Sequence, residues 1–434
     1  MAKIFISFYN AVQDDDNPLA MPCFYDSLIH ELKNNGNQVL VFFSSDYYPF
    51  SWSFKEAEIK VDLSATIKKL RDFDPDFIIA FNHSYLDISN YFECPIVIWE
   101  VDSYQMYADK DIIHKNPDRY VFFAASTKTR QETMNLFKTR NVHYVPFTTA
   151  VKSENKEKKI NISFIGTYFG CEQLANVFMR QNPSDEEIRQ FKQLLVCLAE
   201  KPEQKLDEAL AALAIESEKI HGLAVSNYQY LQYISMNRRL GVLSEIADLG
   251  LKIYGSKTWI EQPVNDPNLV LSYTPETVYS LEHNQNIYNS SKIAVNINHI
   301  QAGSGFSWRV ADVMASSSCL VSDPRGDFKL LFPGIDFFTY ENRYEAREVC
   351  KKLLDENNLR FDYSKKCNEV IDKNYRIRHT LEKIEEILDI KLADLESAGS
   401  VKKFTAVEFS NAKRRLNIMT GKATRTLRKI FRLN

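Results

Sequence analysis

The apolar positions of this chain gather into short, nearly continuous runs separated by stretches with helical spacing. KIFISF at residues 3–8, QVLVFF at 38–43, DFIIAF at 76–81 and PIVIW at 95–99 read as strands buried on both faces, and so do 120–124 and 142–145. Between them the spacing predicts helices near 23–33, closed by Asn34, Asn35 and Gly36, and over 63–71. Strands alternating with helices in this way predict a doubly wound parallel sheet, with ligands at the carboxyl ends of its strands.

A charged stretch, KSENKEKK at 152–159, reads as a linker, because the strand pattern restarts after it with INISFI at 160–165, then Gly166 and Thr167. From 184 to 249 the text is helical with few breakers, longer than one crossover needs, and reads as a helical insertion. LKIY at 251–254 ends in Gly255, followed by an expected strand at 269–273 and an expected helix over 274–291. Then comes a strand–loop–helix–strand unit: IAVNI at 293–297, a small-residue loop at 301–305, a helix over 306–316 and a strand at 319–322 that ends in the turn around Pro324 and Gly326. Helices at 343–356, 363–374 and 379–390 finish the pattern. The expected organisation is α/β: two Rossmann-like domains, 1–151 and 160–390, the second with its insertion at about 184–249, and a tail over 391–434.

With 434 residues, 44% hydrophobic and 26% charged, the chain has the composition of a folded, soluble protein with room for two cores. Its apolar runs fall short of the roughly 18 residues of a spanning helix, and MAKIFISFYNAVQDDD meets acids too early for a signal peptide. Seven scattered cysteines without a Cys-x-x-Cys pair suit reduced thiols in the cytoplasm.

The unit at 293–327 carries the first candidate chemistry. Gly303, Ser304 and Gly305 fall where its helix is expected to open, so free N–H groups and the helix dipole favour an anion there. Arg309, one turn in, adds a charged fork. The arrangement reads as a seat for the diphosphate of an activated donor; simple turn chemistry is the alternative reading of the glycines. Lys257, beyond the strand end at Gly255, is either a second cation or a solvated loop lysine, and Gly166 and Thr167 are either cleft-facing or plain turn residues.

Several motifs in order carry a family likeness: ISFIG at 162–166, IYGSKTW at 253–259, YNSSKIAVNIN at 288–298, WRVADVMASSSCLVSD at 308–323 and HTLEKIEEIL at 379–388. Together they resemble the C-terminal half of the CgeB-like, group-one glycosyltransferases of the GT-B fold. The likeness covers about 160–390 and is architectural before that. It implies two domains facing across a cleft, a nucleotide-sugar donor held mainly by the C-terminal domain, and an acceptor held by the N-terminal one. Larger retaining relatives carry Glu, seven residues, Glu. Here Asp312 matches the second acid and Ser304 stands at the first, so the resemblance implies neither stereochemical outcome. Asp312 is then a candidate for the donor ribose, or an i,i+3 partner of Arg309.

Sugar transfer with inversion needs a base at the acceptor hydroxyl. Glu100 and Asp102, delivered by a buried strand to its carboxyl end, are the leading candidates; Asp15, between Asp14 and Asp16 in the first loop, and His83 are the others. No His, Cys and Asp spacing suggests a metal site, so the reading is metal-independent, without cofactor, and with UDP favoured as the donor's nucleotide.

Charge separates the tail from the rest. From Lys402 to Asn434 there are ten Lys or Arg against one acid, Glu408, so a chain of net charge −3 carries +9 there and −12 elsewhere. Arg414, Arg425 and Arg428 alternate with apolar residues, and Leu427, Ile430 and Phe431 share one helical face. That pattern suits an anionic membrane surface, and the acidic body argues against nucleic acid. The sequence thus reads as a cytoplasmic, peripherally membrane-associated glycosyltransferase acting on a glycan, lipid-linked or other surface-glycoconjugate acceptor. A nucleotide-sugar epimerase of the same fold and a non-catalytic glycan- or nucleotide-binding protein are the alternatives.

Overall fold

The unbroken apolar runs become the inner strands of two parallel sheets. The computed structural model describes residues 1–8, 19–43, 62–82, 91–102, 110–168, 182–200, 206–216, 227–255, 258–261, 266–276, 278–394 and 399–405. Among them, the first sheet contains β1 (Lys3–Phe8), β2 (Gln38–Phe43), β3 (Phe77–Phe81), β4 (Ile96–Trp99), β5 (Tyr120–Ala124) and β6 (Val142–Tyr144). The second contains β7 (Ile160–Ile165), β8 (Leu251–Tyr254), β9 (Ser291–Asn296), β10 (Cys319–Ser322) and β11 (Phe338–Thr339). A last strand, β12 (Ser400–Thr405), rejoins the first sheet at its edge. The orders are β12-β2-β1-β3-β4-β5-β6 and β11-β10-β9-β7-β8. Each order reverses beside its first strand, between β1 and β3 and between β7 and β9, which is where such sheets open a crevice at the carboxyl strand ends.

Period-two alternation sorts each strand between two cores. Ile4, Ile6 and Phe8 of β1 face Phe24 and Leu28 of the helix Cys23–Asn34, while Phe5 faces the opposite side with Phe42 and Ile78. The second sheet has a single larger cluster, into which Val310, Val313 and Met314 of the helix Arg309–Met314 pack.

The chain crosses between the sheets twice, at 145–160 and near 375–377. Thr149 N donates to Tyr375 O at 3.0 Å, and the two crossings form a bridge at Thr149 and Arg376. The charged linker lies pinned to the second domain: Lys158 Nζ donates to Asn289 O at 2.9 Å and to Ser317 O at 2.7 Å.

The expected end of the second domain at 390 and the expected tail from 391 both require correction. The helix Ile377–Leu388 turns Ile377, Leu381 and Ile384 into the core of the first sheet, an i, i+4, i+7 stripe. Beyond it, β12 pairs along β2 from Ser400 against Gln38 to Thr405 against Phe43. Phe404 packs on Phe42 with ring centroids 5.1 Å apart, and Lys403 Nζ reaches Asp26 at 2.9 Å. Asn37 fastens the join by accepting from both Ala2 N and Ala393 N, at 3.1 and 2.9 Å. Lys402 and Lys403, counted with the basic tail, are thus strand residues; Arg414, Arg425, Leu427, Arg428 and Phe431 lie outside the described residues.

Three local expectations also differ. Residues expected as a strand at 269–273 form the helix Pro267–Ser272, because Asp266 caps Asn268 N at 2.9 Å and Pro267 supplies a pre-set helical φ at the first position. The helix expected over 274–291 begins only at Leu281, where Ser280 accepts from His283 N. The helix expected over 306–316 is confined to Arg309–Met314. Within 184–249 the described elements are the helices Asp185–Glu200, Leu206–Ala212 and Asn227–Ile246, with a 3-10 turn at Ala247–Leu249.

Candidate functional site

A cavity of about 450 Å³ opens between the two sheets at their carboxyl edges, a volume typical of small-molecule sites. Residues that follow β4 and β5 line it from the first domain, and residues that follow β7, β8 and β9 from the second.

On the second-domain wall two guanidinium groups come together. Arg239, on the helix Asn227–Ile246, is buried; it donates through Nη1 to Thr167 O at 2.6 Å and through Nη2 to Ile297 O at 3.3 Å. Burial, and then the neighbouring Arg309 cation, push its guanidinium down to about 9, so it stays charged at neutral pH. Arg309 lies over the Trp308 ring, 5.3 Å from its centroid, and also lines the cavity. His299, beside them, is pushed down to about 3 by burial and by the Arg239 and Arg325 cations, so its ring is neutral. Its Nδ1 accepts from Gln301 N at 3.2 Å, which leaves the proton on Nε2.

Gly166 and Thr167 line the same wall. Gly166 O accepts from Trp259 Nε1 at 2.9 Å, and Gly255 approaches it so closely that a Cβ there would sit 2.2 Å from Gly166 O. With φ at +146° as well, position 255 admits only glycine.

The first-domain wall holds Glu100 and Asp102, immediately after β4. Asp102 Oδ2 accepts from Asn82 Nδ2 at 2.8 Å, and Asn82 Oδ1 in turn accepts from Val101 N and Asp102 N, both at 2.9 Å. Asp102 Oδ1 accepts from Gln301 Nε2 at 2.5 Å, a contact that crosses from one domain to the other. Burial pushes the Asp102 carboxyl up, opposed by the bonds from Asn82 and Gln301. Trp308 closes the floor by packing on Phe24, Tyr25 and Phe147 of the first domain, with centroids 6.2, 5.7 and 6.1 Å away.

The structure brings Glu100, Asp102, Gly166, Thr167 and Arg309 to one cavity. It places the other candidates differently. Gly303, Ser304 and Gly305 stand four to six residues ahead of Arg309, where the helix begins, rather than at its mouth, and they face the first domain. Ser304 Oγ accepts from Lys128 N at 3.2 Å and lies 3.1 Å from Thr127 Oγ1. A Cβ at Gly305 would meet Ser126 Cβ at 2.7 Å, so its role is close approach of two backbones. Asp327 reinforces this contact by accepting from Thr127 N at 2.9 Å and Tyr144 OH at 3.0 Å.

Asp312, a candidate for the donor ribose or for a surface pair with Arg309, is not among the residues that line the cavity and does not lie on the surface. Its side chain is buried, and Oδ1 accepts from Thr149 Oγ1 at 2.6 Å. Burial pushes its carboxyl up to about 7 despite the Arg309 and Arg376 cations. Asp15, His83 and Lys257 lie outside the described residues. Among the described residues no three His, Cys, Asp or Glu side chains gather as a metal site, and no helix is long and apolar enough to cross a membrane.

Arg239, His299 and Gln301 are cavity residues that the sequence reading passed over. Arg239 did carry a signal: on its helix the positions three and four away are Ser235, Met236, Val242 and Leu243, so it has no acid to pair with locally.

Two parallel sheets meeting across such a cavity make the GT-B fold of glycosyltransferases. Sucrose-phosphate synthase from Thermosynechococcus elongatus shares it with a TM-score of 0.52 at 9% identity, over 90% of this chain and 98% of that one. HepE from Anabaena, solved with UDP and glucose, gives 0.46 at 9% identity over 90% and 100%, and the T4 phage enzyme BGT with UDP-glucose gives 0.44 at 12% over 90% and 100%. Residues 238–386, which include Arg239, His299, Gln301 and Arg309, match the sequence model of the family described as "Glycosyl transferase-like". No curated protein matches the chain by sequence.

Proposed function

We propose that this protein transfers a sugar from a nucleoside diphosphate sugar to an acceptor hydroxyl. The observation that carries the reading is a single cavity with Arg239 and Arg309 on the second-domain wall and Glu100 and Asp102 on the first-domain wall. Paired guanidinium groups neutralise a diphosphate and stabilise it as it leaves, and a carboxylate on the far side takes the proton of the attacking hydroxyl.

Arg309 is the diphosphate clamp and Arg239 its buried support, while Gly166 and Thr167 bring main chain close to the leaving phosphate. Asp102 is the base, since a carboxyl raised by burial is a stronger proton acceptor than one in water, and Glu100 is its neighbour on the same strand end. His299 lines the same wall as a neutral ring and adds no charge beside the donor. No metal has a role in this reading. The acceptor is a glycan or a lipid-linked glycoconjugate, brought to the protein at an anionic membrane surface by the basic segment 406–434.

Calorimetric titration with UDP, UDP-glucose and other nucleoside diphosphates tests the reading. Binding of a nucleoside diphosphate, lost in Arg309→Ala, supports it; absence of binding across the panel overturns it. Product analysis with and without a glycan acceptor then separates transfer from epimerisation.

A further inference from the structure

A contact between the domains lies at the reacting edge itself: Gln301 Nε2 on Asp102 Oδ1. The two oxygens of that carboxyl are fixed from different domains. Asn82 holds Oδ2 from within the first domain, and its left-handed backbone at φ 58° folds its amide back over Val101 N and Asp102 N. Oδ1 is held from the second domain alone, by a side chain on the 3-10 turn Ile300–Ala302.

That turn is held at both ends from within the second domain. At its start His299 Nδ1 accepts from Gln301 N, and His299 lies against Arg239. At its end Gly303 O accepts from Arg325 Nη1 at 3.0 Å, and Arg325 is paired with the buried Asp323.

Resting on the assignment of Asp102 as the base, we propose that Gln301 is a positioning residue by which the donor-binding domain orients the Asp102 carboxyl, so that the base is completed only when the domains are closed. With Asn82 alone the carboxyl keeps one fixed oxygen and can swing about it. With Gln301 in place both oxygens are fixed, and the remaining lone pairs point where a hydroxyl must lie.

The experiment compares Gln301→Ala and Gln301→Glu with wild type in the full chain, by three measurements. UDP affinity by calorimetry should stay within about twofold in both variants, because neither guanidinium is touched. UDP-glucose turnover should fall by about tenfold or more at neutral pH in kcat. The acidic limb of the kcat profile should move to higher pH, further for Glu than for Ala, because loss of the donated bond and then addition of a like charge each disfavour the carboxylate.

The other groups around the cavity do not confuse that limb. Arg239 stays charged up to about 9, His299 stays neutral down to about 3, and burial holds the Cys23 thiol protonated far above neutrality. Among the described residues that line the cavity Glu100 is the remaining carboxyl, and Asp102→Asn distinguishes it by abolishing the limb if Asp102 is its source.

A fourth measurement is independent of turnover: carbon-13 titration of aspartate carboxyls in the full chain, with Asp102 assigned by its loss in Asp102→Asn. An upward shift of that resonance in both variants supports the positioning role even if UDP-glucose is not a substrate, in which case the glycosyl-transfer reading alone fails. Normal wild-type turnover that depends on Asp102, with neither limb nor resonance moved by the Gln301 variants, overturns the positioning role and leaves the transfer reading intact. The Glu variant keeps the side chain's length, so a folding failure of the Ala variant does not remove the test.

Discussion

Thr149 donates its hydroxyl to Asp312 Oδ1 at 2.6 Å, joining the first crossing between the domains to the helix that carries Arg309. Both side chains are buried, and Asp312 Oδ2 has no hydrogen-bond partner among the described residues. A carboxyl so placed is more comfortable protonated, and burial accordingly raises it to about 7.

This predicts how stability varies with pH. The folded protein holds the Asp312 proton up to about pH 7, whereas an unfolded aspartate releases it near 4. The stabilisation is fully present below the unfolded value and is lost as pH rises through the folded one. Asp312→Asn keeps an oxygen for Thr149 and removes the titration. Its melting temperature should therefore gain on that of wild type between pH 5 and pH 8, by scanning calorimetry at each pH. A constant difference across that range counts against the assignment.

The two arginines should separate by stability. Arg309→Ala is expected to weaken UDP binding by about 1.5–3 kcal/mol, the size of hydrogen bonds to charged groups, with little change in melting temperature. Arg239→Ala should cost affinity and stability together, since Thr167 O and Ile297 O lose their donors. Calorimetry with UDP and a melting curve on each variant decide it.

Asp102→Asn should retain UDP affinity and lose roughly a hundredfold or more in turnover, the usual range for a removed general base. If Glu100→Gln shows that loss and Asp102→Asn does not, the base stands two residues earlier on the same strand end.

For the C-terminal segment the position of the cut decides the outcome. Removal of 406–434 should leave the melting temperature unchanged and abolish sedimentation with anionic vesicles, and binding by the intact chain should weaken as salt rises. Removal from 395 onward takes β12 as well, uncovering the β2 edge and Phe42. That protein should melt lower by several degrees and aggregate. Vesicle sedimentation by the 1–405 protein equal to that of the full chain would falsify the anchor.

Strand runs buried on both faces were readable because burial leaves a continuous apolar signature, as in IIAF of β3 and IVIW of β4. The return of residues 377–405 to the first domain was not readable. Nothing local distinguishes a helix that packs on the preceding sheet from one that packs on a sheet made hundreds of residues earlier. VKKF of β12 also alternates like a half-exposed strand, within a stretch whose lysines read as tail. At the site, the acids after β4 and Arg309 were legible from their place at strand and helix ends. Ser304 and its glycines were legible as a tight loop, but what pressed on that loop was Ser126 and Lys128 of the other domain, which sequence spacing cannot reveal.

The return of the chain also has a consequence for synthesis. On the ribosome β2 emerges within the first tenth of the chain and its edge partner β12 within the last. Throughout translation of the second domain, therefore, the first waits with an unpaired strand edge and with the apolar patch that Ile377, Leu381 and Ile384 later cover. The N-terminal domain begins first and finishes last, and its exposed edge is the part of this protein with most need of a chaperone while the rest is being made.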